Sequence, residues 1–64
     1  MFDLGQWVID TKKRTTGTVL AKIEGVELLY VVEGDDTDEC YIVKGNRLIP
    51  YDKSWFDENP EQES

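Results

Sequence analysis

The side chains able to do chemistry in this 64-residue chain are few and unevenly placed. It has no histidine and one cysteine, Cys40, against fourteen acidic and seven basic residues. Nucleophilic catalysis needs a nucleophile beside a base that can take its proton. Cys40 instead lies between Glu39 and Tyr41, and a nearby carboxylate disfavours the thiolate. It is expected to be a small buried hydrophobe. Gly25, Gly34 and Gly45 are isolated turn residues and do not form a phosphate-binding loop. The chain is therefore predicted to be non-enzymatic and to carry no cofactor. The run Glu33-Gly34-Asp35-Asp36-Thr37-Asp38-Glu39 offers oxygen ligands to a hard cation. It lacks the twelve-residue EF-hand spacing and its terminal bidentate Glu, so a solvated loop is expected there and no metal.

What remains is recognition. The net charge of −7 argues against generic attachment to nucleic acid or an anionic membrane, whose affinity comes from Lys and Arg. The charge is also clustered. Asp35, Asp36, Asp38 and Glu39 crowd into one loop with Glu33, and Asp52, Asp57, Glu58, Glu61 and Glu63 form a second acidic group. Carboxylates spaced along one face can imitate phosphates and fill a basic groove on another protein, as small acidic proteins of phages and mobile elements do. Large exposed aromatics favour interfaces, because they give much contact area for few frozen torsions. Trp7 precedes the core candidate Val8, so alternation turns it outward. Trp55 and Phe56 follow the last strand and have two open roles, facing a partner or capping the sheet against Leu20 and Leu29. The expected function is non-catalytic binding to another protein through Trp7, Trp55, Phe56, Asp35, Asp36, Asp38 and Glu39. The alternative is a nucleic-acid-binding module contacting phosphate through the basic tip Lys12-Lys13-Arg14 with Lys22 and Arg47. No membrane partner is expected, and homo-oligomerisation is left open.

The elements that must position these residues are short. Gly or acidic clusters break the chain every 8–12 residues, and the stretches between are rich in Val, Ile, Leu, Thr and Tyr. That is the pattern of antiparallel strands in a sandwich or barrel. Strands are predicted over 6–9, 17–23, 26–32, 39–43 and 47–49. Loops fall at 10–16 and 33–38, with turns at 24–25 and 44–46. The third strand is apolar on both faces, so it is covered on both sides or offers its outer face to something. Pro50 lacks an amide donor and is expected to end the pairing. Beyond it, Ser54 can cap one helical turn with Asp57 at the third helical position, and 59–64 reads as a disordered polar tail. The expected core is Val8, Val19, Ala21, Ile23, Tyr30, Val32, Ile42 and Leu48.

The segments Leu4-Gly5-Gln6-Trp7-Val8, Thr16-Gly17-Thr18-Val19, Tyr30-Val31-Val32 and Arg47-Leu48-Ile49-Pro50 resemble those of SH3-like small barrels of the KOW and Tudor kind. The resemblance covers about residues 3–50 and implies an all-β, five-stranded antiparallel barrel over 1–50. A C-terminal extension occupies 51–64. The resemblance carries no function, because such barrels bind RNA, DNA, peptides and proteins alike. Without a cysteine pair for a disulfide, a basic leader or a long apolar run, the expected location is the cytoplasm.

Overall fold

The computed structural model describes residues 2–36 and 38–60. The protein is mainly antiparallel β-structure. Five strands, β1 (Trp7–Asp10), β2 (Thr15–Ile23), β3 (Leu29–Gly34), β4 (Cys40–Lys44) and β5 (Leu48–Pro50), form one sheet in the order β4-β3-β2-β1-β5. A 3-10 turn, Gly45–Arg47, leads into β5, and one short helix, α1 (Trp55–Glu58), follows it. The pairing runs from β4 to β5 without closing. No helix of the described residues is long and apolar enough to cross a membrane.

Val8, Val19, Tyr30, Val32, Val43 and Leu48 pack together as the core. Five of these were expected from the sequence. Three other expectations are corrected. Ala21 is only partly buried and Ile23 is 42% exposed, because β2 slips register between Val19 and Ala21. Val19 pairs with Val32 and Ala21 with Val31, so Leu20 has no residue opposite it. One extra residue resets the alternation, and the last part of β2 turns its apolar positions to the outer face. Ile42 is 59% exposed because it pairs with the outward Val31, while Val43 faces inward beside Tyr30. Cys40 is exposed as well. It shares the phase of Ile42, two residues on, and leads out of the acidic loop.

Ile9 is fully buried, although its neighbour Val8 already fills the core phase. Since β1 is paired on both sides, by β2 and β5, Ile9 lies in a row between Thr16 and Ile49 on the opposite face. The outer face is thus covered at Ile9, although it opens at Trp7 two residues before it. Gly17 sits where neighbouring strands approach closely. A Cβ there would lie 2.6 Å from Val32 Cγ1 and 2.7 Å from the Glu33 carbonyl oxygen, so no other residue fits without displacement.

Candidate functional site

Two carboxylates organise the surface around β1. Asp10 ends that strand and is 1% exposed. Its Oδ1 accepts bonds from the amides of Lys12 and Lys13 at 3.0 and 3.1 Å, which fold the β1–β2 loop around it. Arg47 Nη2 reaches Oδ1 at 3.2 Å and Oδ2 at 2.9 Å, and the Tyr41 hydroxyl donates to Oδ2 at 3.1 Å. A buried charge persists only when paired and hydrogen-bonded, and Asp10 is both. Arg47 contributes a single nitrogen, and its Nε is buried without a hydrogen bond. Burial, then the Asp10 charge and hydrogen bond, raise the Tyr41 pKa above the usual tyrosine value.

This arrangement takes up much of the basic set. Arg47 is the ion-pair partner of Asp10. Lys13 Nζ lies 3.8 Å from the centre of the Tyr41 ring. Arg14, whose φ of 59° closes the loop, places its guanidinium 5.1 Å from the Trp55 ring and 6.0 Å from Phe56. Lys12 and Lys22 are exposed. The five residues considered for phosphate contact therefore include three already engaged with acidic or aromatic groups of the chain itself.

Trp55 and Phe56 meet edge to face at 5.0 Å on α1 and are half-buried beside Arg14. Leu20, expected to lie beneath them if they capped the sheet, stays 44% exposed. The cap of α1 also differs from expectation. Ser54 makes no side-chain cap bond; its hydroxyl and amide both donate to Asp52 Oδ1, at 2.8 and 3.0 Å. Those two bonds hold the Asp52 carboxyl below its ordinary pKa.

The second carboxylate, Asp35, is exposed. Its amide donates to the Thr16 carbonyl at 3.1 Å, extending the β2–β3 ladder by one step past Gly34. Its Oδ2 accepts from the Thr16 hydroxyl at 2.7 Å and from the Trp7 indole N–H at 2.6 Å. Trp7 faces outward as its place before Val8 required, and is 49% exposed. Its ring lies flat on that of Tyr51, with centres 3.8 Å apart and planes 7° from parallel. Tyr51 is placed by backbone. Its amide donates to the Trp7 carbonyl at 3.0 Å, so pairing continues past Pro50, contrary to expectation. The missing Pro50 amide does not interrupt this, because Val8 pairs with Pro50 and the next bond belongs to Tyr51.

The structure thus brings Trp7 and Asp35 together and adds Thr16 and Tyr51, neither of which the sequence singled out. Asp36, Asp38 and Glu39 are exposed on the same acidic loop as Asp35, whereas Trp55 and Phe56 belong to the Arg14 cluster. One signal for Tyr51 exists in the chain: a register setting Ile49 beside Ile9 sets Tyr51 beside Trp7. An aromatic stack rimmed by carboxylates suits a cation, which is attracted both to ring faces and to negative charge. Among the described residues no group of acidic or cysteine side chains has metal-holding geometry. Comparison with protein-family models, curated proteins and solved structures finds no match to this chain.

Proposed function

We infer that this protein is a non-catalytic binding module, its sheet a small barrel of the SH3-like kind, that engages a basic surface on another protein. The supporting observation is the bond from the Trp7 indole to Asp35, which joins the exposed aromatic stack to the acidic loop in one continuous surface. Trp7 and Tyr51 supply contact area with little torsional freedom left to lose, and Asp35, Asp36, Asp38 and Glu39 supply the field that draws in Lys or Arg. The engagement of Arg14, Lys13 and Arg47 within the chain favours this reading over phosphate contact.

The test is affinity capture from the native host with three baits: the unaltered protein, Trp7→Ala, and the triple change of Asp35, Asp36 and Asp38 to Asn. A basic protein retained by the first bait and lost from both variants is expected. Once it is purified, the triple variant should associate more slowly and with weaker salt dependence. Trp7→Ala should dissociate faster, losing about 2 kcal/mol or more. Equal retention by all three baits would overturn the site. Direct RNA or DNA binding that falls steeply with salt would overturn the partner class.

A further inference from the structure

Strand β4 is an edge, with β3 on one side and no strand on the other among the described residues. Which of its backbone groups are unpaired follows from the bonds at its two ends. The Gly34 amide donates to the Glu39 carbonyl and the Gly45 amide to the Leu28 carbonyl. In an antiparallel ladder hydrogen-bonded pairs alternate with non-bonded ones. With Val32 opposite Tyr41 and Val31 opposite Ile42, Tyr41 and Val43 bond to β3. Cys40, Ile42 and Lys44 point their amides and carbonyls away from the sheet.

The same three residues are exposed, and Ile42 ends an apolar row of Ala21, Val31 and Ile42 across the outer face. Charge runs along the edge in one direction, from Asp38 and Glu39 before it to Lys44 at its end. There the Lys44 Nζ also lies 3.7 Å from Glu27 of its own chain, in an exposed pair that a second acidic partner can share. A strand acidic at its start and basic at its end complements itself when paired antiparallel.

We propose that β4 is a homodimerisation edge, pairing with β4 of a second copy about a two-fold axis at Ile42. Ile42 then exchanges both backbone bonds with its counterpart, and Cys40 exchanges both with Lys44 of the other copy. Lys44 comes beside the acidic entry to the second strand, and the apolar row doubles in length. The contact is isologous and closes after two copies. It uses a different edge from Trp7 and Tyr51, shares only Asp38 and Glu39 with the partner surface, and does not rest on the partner reading above. The surface is small and each copy carries −7, so association is weak and is measured at moderate salt, where charges beyond about 8–10 Å are screened.

Sedimentation equilibrium of the full chain should show apparent mass rising with concentration towards twice the monomer value. A monomer mass up to millimolar concentration overturns the proposal. Ile42→Pro removes an amide that β3 does not use, so it should keep the far-UV spectrum and abolish the rise; a dimer persisting in this folded variant overturns it. Because Ile42→Pro could fail to fold, a second variant carries Ile42→Cys with Cys40→Ser. Residues facing each other across a hydrogen-bonded antiparallel pair lie about 5.5 Å apart at Cα, within disulfide reach. Mild oxidation should therefore give a covalent dimer that keeps its β-rich spectrum. In the unaltered chain Cys40 faces Lys44 of the other copy, and its own counterpart lies beyond bridging distance. Failure of the Ile42→Cys cross-link, or equal cross-linking through native Cys40, overturns the pairing.

Discussion

Asp10 and Asp35 are the same side chain put to opposite uses. Asp10 lies at 1% exposure and accepts from two loop amides, Arg47 and Tyr41, partners spread across the chain. Asp35 is exposed, and its side chain accepts from a threonine hydroxyl and an indole. Water stands ready to replace the partners of Asp35, whereas nothing replaces those of Asp10. A carboxylate's contribution to folding thus follows from how far its partners could be replaced by solvent. The first fixes shape, and the second is available to a ligand.

Substitutions at the two sites should separate by several-fold. Asp10→Ala leaves Arg47 and the Tyr41 hydroxyl without their acceptor, and breaking a buried pair costs roughly 3–5 kcal/mol. Because the Arg47 side chain is 30% exposed, the lower end is expected, still enough to leave a small domain largely unfolded in urea titrations. Arg47→Lys should retain more stability than Arg47→Met, since one nitrogen makes the present contact. If the two variants melt together, the ion pair contributes nothing.

Gly17→Ala comes next, between the two sites. Its Cβ would meet Val32 and the Glu33 carbonyl, and overpacking costs about 1–3 kcal/mol, readable as a lower denaturation midpoint. Tyr41→Phe should cost about 1.5 kcal/mol, the low end for a hydrogen bond to a charged group, because Tyr41 is only partly buried. The same change tests pH dependence. Tyr41 has its pKa raised in the folded state, so its contribution is present below the unfolded tyrosine pKa of about 10. That contribution is lost as pH climbs through the higher folded value. Alkaline unfolding should therefore flatten in the phenylalanine variant.

At Trp7 the expected effect on folding is smaller, about 0.5–1.5 kcal/mol beyond lost burial, for the stack on Tyr51. Asp35→Asn should change stability by no more than about 0.5 kcal/mol. It should nonetheless move the Trp7 indole proton upfield in the NMR spectrum, because a neutral amide is a weaker acceptor. An unmoved resonance would mean that the indole bond is absent in solution.

The all-β class and five strands were legible because Gly and acidic breaks punctuate β-branched stretches at even spacing. The faces were legible only where alternation was unbroken. Val8, Val19, Tyr30, Val32 and Leu48 were placed correctly, but Cys-Tyr-Ile-Val-Lys is apolar in both phases and cannot declare which side is inward. Asp10 was assigned to a loop because a lone carboxylate gives no local sign of burial; its partners Tyr41 and Arg47 lie 31 and 37 residues away. Of the site, Trp7 and the acidic loop were read from alternation and charge. Tyr51 was missed because Pro50 was taken as the end of pairing, whereas the lost amide falls where the ladder does not need it.

Leu20 has no opposite number on β3, since Val19 and Ala21 take the consecutive partners Val32 and Val31. Deleting it would leave each pair of that ladder in place and every later side chain on its present face. What the chain would lose is curvature, because a bulge bends its strand and deepens the local twist. Contacts and shape are thus separately encoded here. A one-codon deletion is expected to keep the register while flattening the middle of β2, altering how the outer row lies against whatever meets it.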